Sequence, residues 1–359
     1  MHTANARSVP AMIPQEIADL TPAFFADALG RDVDCAELID RHSGTTGRSR
    51  FRLSGDPALP ATVFVKLAPF NAVQREFVAA VGMGVAEARF YRDLAREVPV
   101  RVPHPHYAET DGERYVMVLE DLEASGCRFP GPRDPDIERR GGDIVEQLAA
   151  LHGKYWDTAR FDDPADLGWL AGKGIGNSGG GHETAFVKMA VDNLGAQFDA
   201  AFHRIADFYL THTPAILELW NSGPGTLVHG DPHIGNLFVD VRAGDRTGFL
   251  DWGFLGRSPG VRDVAYVLCN SIPAEVRAAN EHSWLRRYRE LLAECGVVLT
   301  DEEAWRQYRV FAVYSWVAAA STAGMASKWQ PLHVGLAGTR RTTEACAHLH
   351  SVELLEELV

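Results

Sequence analysis

Hydrophobic and polar positions alternate along the first third of the chain in short β-like runs. ATVFVKLA (61–68) and YVMVLEDL (115–122) are rich in Val, Phe and Leu over strand lengths. Between them, VQREFVAAVGMGVAEARFYRDLARE (73–97) carries Val85, Ala88, Phe90, Tyr91 and Leu94 at helical spacing, and the Gly82/Gly84 pair should weaken or break the helix midway. After Leu122 the texture changes. CRFPGPRDPD (127–136) reads as a Pro/Gly loop, and helix-length periodicity then runs through 138–156, 183–210, 273–296, 301–322 and most of 339–358. Among these helices, TLVHG, NLFVD and TGFLDWG (247–253) are strand-like, and Ala243, Gly244 and Asp245 signal a turn between the last two. The pattern predicts an α+β protein: a strand-rich lobe over residues 1–122 and a mainly helical lobe over 123–359 that holds a β-hairpin. A cleft between two lobes is a natural place to bind a small molecule.

Composition narrows the partner. At 359 residues with 46% hydrophobic and 23% charged positions, the chain is an ordinary globular protein. A formal net charge of −13 argues against a nucleic-acid binder, which needs a clustered excess of Lys and Arg. Five scattered cysteines with no CxxC pair suggest neither a disulfide framework nor a zinc ribbon. With no signal-like start and no bilayer-length apolar run, a cytoplasmic protein without a membrane partner is expected. Nothing in the pattern sets the oligomeric state.

The densest chemistry lies in LVHGDPHIGNLFVD (227–240). His229, Asp231 and His233 could be read as a zinc site, but Gly230, Pro232 and Gly235 disfavour the helix that would align the histidines, and no Cys or Glu nearby completes a tetrahedral set. A polar turn is the other plain reading, since Asp, Asn and Gly are common turn formers. The spacing favours chemistry: Asp231 and Asn236 stand five positions apart, and Asp251 follows at the end of an apolar strand. Phosphoryl transfer needs a carboxylate to orient or deprotonate the attacking hydroxyl, and an amide with a second carboxylate to hold Mg²⁺ on the phosphates. It also needs a strand lysine and a helix glutamate to hold it, for which Lys66 and Glu87 are in place. Glu76, on the same segment, is the weaker candidate. A flexible phosphate-covering loop should precede the lysine strand. SGTTGRSRF (43–51) supplies one through Ser43, Gly44, Thr45, Thr46 and Gly47, and backbone groups of Glu120 and Leu122 could meet the base. GKGIGNSGGG (172–181) follows no strand and has no Lys-Ser or Lys-Thr pair, so it is read as a loop of the helical lobe.

In these motifs and their order the chain resembles the aminoglycoside phosphotransferase and choline kinase superfamily, whose HGDxHxGN motif is matched by His229 to Asn236. The resemblance runs from Ser43 to Asp263 and implies a protein-kinase-like two-lobed fold. It implies a nucleotide-binding lobe over 1–122, and over 123–359 a lobe with the catalytic loop, metal site and acceptor pocket. By the same resemblance Asp231 is the catalytic base or hydroxyl-orienting group, Asn236 and Asp251 bind Mg²⁺, Lys66 and Glu87 form the phosphate lysine and its partner, and His229, His233 and Asp263 support the loop. The chain departs from protein kinases: DWG (251–253) stands where they have DFG, no APE segment follows, and GVRDVAYVLC starts a helix within about ten residues. Protein substrates are therefore not expected. The ending, with AVYSWVAAAS and SKWQP, is similar to the ecdysteroid-kinase-like branch. The expected activity is ATP- or GTP-dependent O-phosphorylation of a small hydroxylated acceptor, aminoglycoside-like or another metabolite. The alternative is a catalytically silent nucleotide-binding regulator of the same fold.

Overall fold

A computed structural model describes residues 13–44, 46–170, 182–325 and 331–359. They divide into two compact units. One takes the described residues up to Glu97 together with Val102–Gly126; the other takes Val98–Arg101 and the described residues from Cys127 onward.

The first unit is built on a five-stranded antiparallel sheet in the order β1-β2-β3-β5-β4. Its elements in chain order are α1 (Pro22–Leu29), β1 (Val33–Ser43), β2 (Gly47–Gly55), β3 (Thr62–Leu67), α2 (Ala72–Val81), α3 (Met83–Arg89), β4 (Pro105–Thr110) and β5 (Tyr115–Glu120). One face of β2 and β3 sends Phe51, Leu53, Val63, Val65 and Leu67 into a core shared with Phe24 and Phe25 of α1. The expected helix over 73–97 does break. Gly82 sits in the left-handed region at φ 70° between α2 and α3, and a wide π-helical turn over Phe90–Leu94 closes the segment. The run SGTTGRSRF is more strand than loop: Ser43 ends β1, Gly47 opens β2, the two are register partners, and Gly44, Thr46 and Gly47 are buried. Gly47 is there for space, because a Cβ would meet the Ala68 carbonyl at 2.6 Å.

In the second unit come α4 (Ile137–Tyr155), α5 (His182–Leu194), α6 (Ala200–Trp220), β6 (Thr226–Val228), β7 (Leu237–Asp240), β8 (Arg246–Phe249), β9 (Gly256–Ser258), α7 (Val261–Ser271), α8 (Ala274–Glu294), α9 (Asp301–Gly324), α10 (Leu332–His348) and α11 (Ser351–Leu358). The periodic run 183–210 is two helices. Asp199 caps α6 by accepting from the Ala201 and Phe202 amides, and α6 continues past Pro214. Likewise 339–358 is divided at His350, which is left-handed at φ 50°. β7 and β8 form the expected hairpin, whereas β6 pairs with β9, a short strand without a recognisable pattern. The segment GKGIGNSGGG lies outside the described residues. Among the described residues no helix is long and apolar enough to cross a membrane. The fold class is α+β and protein-kinase-like: an antiparallel sheet unit and a mainly helical unit.

Candidate active site

The loop His229–Asn236 leaves β6 under tight backbone constraint. Gly230 has φ 87°, and a Cβ there would lie 2.0 Å from the Phe254 carbonyl oxygen, so no other residue fits. Both amides at this bend end on one carboxylate. The His229 N–H donates to Asp263 Oδ2 at 2.6 Å and the Gly230 N–H to Oδ1 at 3.1 Å, from the first turn of α7. Asp263 is fully buried. Burial alone would raise its pKa, but His152 with Nε2 3.5 Å away, helped by the Arg262 charge, holds it below the ordinary value, so the carboxylate stays ionised. His229 Nδ1 accepts the Asp231 amide at 3.2 Å; its proton therefore sits on Nε2 and is donated to the Leu250 carbonyl at 3.0 Å. Both ring nitrogens are committed, which removes His229 from any metal set. Burial pushes its pKa down despite the surrounding carboxylates. Trp252, in the place of the kinase phenylalanine, packs on this ring with centroids 4.5 Å apart.

Asp231 is fixed at both oxygens. Asn236 Nδ2 donates to Oδ2 at 3.0 Å and to the Asp231 carbonyl at 2.9 Å, and the Tyr266 hydroxyl donates to Oδ1 at 2.6 Å. Its side chain still shows 22% of its surface to solvent. Tyr266 was not singled out from the sequence, where a helical tyrosine reads as core. Burial first, then the Asp231 charge, raise its pKa well above the ordinary phenol value, so it remains a donor. Behind it, Arg262 donates to the Tyr314 hydroxyl at 2.7 Å, and Ser271 Oγ accepts the Ile234 amide at 2.9 Å. His233 Nδ1 accepts the Gly235 amide at 3.0 Å, and its Nε2 stands 3.7 Å from Asp231 Oδ2.

The hairpin brings the remaining pair together. The Leu250 amide donates to the Asn236 carbonyl at 3.0 Å, which makes Asp251 a neighbour of Asn236. Asp251 adopts φ 65°, ψ 63°, a left-handed conformation that Asp tolerates better than most residues. The hairpin is anchored by the buried Arg140, which donates to the Asp245 carbonyl at 2.6 Å and to Thr247 Oγ1 at 3.0 Å. Because Asn236 spends its NH₂ on Asp231, its oxygen is the group left to offer a cation. An amide oxygen plus a carboxylate is a hard set of the kind Mg²⁺ takes when phosphates supply further ligands. Among the described residues no group of three or more His, Cys, Asp or Glu could hold a metal ion by itself.

In the first unit, Lys66 Nζ donates to Glu87 Oε1 at 2.7 Å, and the two residues are 5% and 1% exposed. Gly84 makes the approach of α3 possible: a Cβ there would overlap the Tyr115 ring at 2.0 Å. Ser43 Oγ is used locally, accepting the Phe70 amide at 3.2 Å and donating to Gln74 at 3.4 Å. Thr45 lies outside the described residues. The Glu120 amide donates to the His104 carbonyl at 2.9 Å, so the Leu122 amide is the one still on offer at this bend, without an acceptor among the described residues.

The model of the phosphotransferase enzyme family matches residues 40–279, well over half of the chain. The comparison with curated proteins found no match. Among solved structures, a Ralstonia eutropha protein named for the aminoglycoside phosphotransferases is similar with a TM-score of 0.56 at 14% identity, covering 95% of this chain and 99% of its own. The choline kinase LicA of Streptococcus pneumoniae gives 0.51 at 12% identity, with 92% and 99% covered. LicA in complex with AMP gives 0.51 at 10% identity, with 91% and 97% covered. At these identities the neighbours speak for the fold, whereas the family model speaks for descent: the chain belongs to the phosphotransferase enzyme family, within the aminoglycoside phosphotransferase and choline kinase superfamily.

Proposed function

We propose that this protein transfers the terminal phosphoryl group of ATP or GTP to a hydroxyl of a small molecule. The observation that carries the reading is the Asp231 carboxylate, tied by Tyr266 and Asn236 yet still open to solvent. A carboxylate so fixed can accept a hydrogen bond from an acceptor hydroxyl and hold its oxygen for in-line attack. As the new O–P bond forms, the hydroxyl proton passes to Asp231, and the bond to the bridging oxygen breaks to release the nucleoside diphosphate. Mg²⁺, when held by Asn236 and Asp251, would offset the negative charge of the phosphates. Lys66, kept in place by Glu87, would do the same from its strand, and the Leu122 amide is a donor for the base. Asp263, His229 and His233 keep the loop in shape. Hydroxylated metabolites and aminoglycoside-like compounds are the acceptor class; LicA is named for choline, and a choline-like alcohol belongs among the first acceptors tried. All five cysteines are unpaired, which suits a reducing compartment such as the cytoplasm.

The test is a screen of hydroxylated acceptors with Mg²⁺ and ATP or GTP, read as nucleoside diphosphate release, on the wild type and Asp231→Ala. The variant should lose turnover by roughly a thousand-fold or more while keeping nucleotide affinity. Near-normal turnover in the variant would sink the mechanism. Nucleotide binding by the wild type without transfer to any acceptor would favour the silent regulator.

A further inference from the structure

We infer that Arg48 is a second phosphate-binding cation of the nucleotide site, acting beside Lys66; this rests on the nucleotide reading above and adds a residue to it. Arg48 and Lys66 are register partners on β2 and β3, so their side chains leave the sheet from one face, the face opposite the core. The other two arginines on that face of β2 are matched. Arg50 meets Asp121 at 3.2 Å and Glu123 at 2.7 Å, and Arg52 meets Glu37 at 2.6 Å. Among the described residues Arg48 has no carboxylate partner, and its Nε is buried without a hydrogen-bond acceptor. The guanidinium lies against the β1–β2 turn, with Nη2 3.1 Å from where a Gly44 Cβ would be.

Two cations directly opposite each other on a sheet repel, and only one of them is compensated here, by Glu87. The arrangement becomes favourable when an anion arrives at the same face. The chemistry of that anion follows from the cation: a planar guanidinium presents parallel N–H groups that match two phosphate oxygens, where an ammonium offers a point charge. The class of ligand is the phosphate chain of a nucleoside triphosphate. In the sequence Arg48 lies within SGTTGRSRF, which reads as a loop by composition, and nothing there singles it out.

Titration calorimetry of the wild type, Arg48→Gln and Arg48→Lys with Mg-ATP and with adenosine tests this, alongside thermal melting without nucleotide. Should GTP be the nucleotide used, Mg-GTP and guanosine replace them. Arg48→Gln should weaken triphosphate binding by roughly ten-fold or more and leave nucleoside binding unchanged, with Arg48→Lys in between. Its melting temperature without nucleotide should equal or exceed the wild type's, because repulsion of Lys66 is relieved. Triphosphate affinity within about two-fold of the wild type would overturn the inference. So would a parallel loss of triphosphate and nucleoside binding with a lower melting temperature, the mark of a purely structural arginine. If the wild type binds neither triphosphate, this inference and the functional reading fall together; if it binds and Arg48→Gln binds equally, this inference falls alone.

Discussion

The two units hold their charged groups in opposite ways. Lys66 is paired with Glu87 of one helix, and among the described residues Arg48 beside it has no carboxylate partner. Asp231, by contrast, sits in a loop whose amides, ring nitrogens and carboxylate oxygens are tied to Asp263, Leu250, Asn236, Tyr266 and Ser271. On the proposed function, the difference matches what each group would do. A cation that grips phosphates needs spare hydrogen-bonding capacity when the anion arrives, and Arg48 keeps it. A carboxylate that must meet one hydroxyl at one angle gains from having few other positions open to it.

The comparison can be broken first at Asp263. Asp263→Ala would leave the His229 and Gly230 amides buried without an acceptor, at a cost of roughly 3–5 kcal/mol, seen in denaturant unfolding and accompanied by loss of turnover. If stability hardly changes, the loop is not set by this carboxylate. Glu87→Ala comes next. It strands a buried ammonium and should cost about 3 kcal/mol, with a selective fall in nucleotide affinity; a loss of acceptor affinity alone would contradict the division of labour. Tyr266→Phe is the smallest and sharpens the picture most. Only one hydroxyl is lost, so the protein should fold normally while kcat drops about ten-fold with KM for nucleotide unchanged. An unchanged kcat would mean that Asn236 alone fixes the carboxylate.

Much of the candidate site's arrangement could be read from residue order. His229, Asp231, Asn236 and Asp251 lie within one strand-loop-hairpin stretch, where local spacing and spatial proximity coincide. Lys66 and Glu87 could be paired because one sits on a strand and the other on the helix after it. Tyr266, Tyr314 and His152 could not be found in this way: the tyrosines reach the loop, and His152 reaches Asp263, from helices distant in sequence, and each reads locally as an ordinary buried position. The same holds for elements. α1 is only eight residues long, and the edge strand β1 is exposed along most of its length, so neither offers a clear period. In β2 the strand periodicity was masked by serine, glycine and arginine, which resemble a loop by composition.

The short strap Val98–Arg101 has a consequence for synthesis. Arg101 pairs with Asp240 across a separation of 139 residues, and its carbonyl accepts the Phe249 amide. At ribosomal rates of about 5–20 residues per second, these partners emerge on the order of ten seconds after Arg101 itself. The first unit therefore has its strands translated around a tether that cannot yet be anchored, and a single cut after Gly126 would sever the strap from its partners in every copy. Anyone dividing this chain to express a sheet unit alone would carry Val98–Arg101 along as an orphaned segment, and would leave the β7–β8 hairpin without its neighbour.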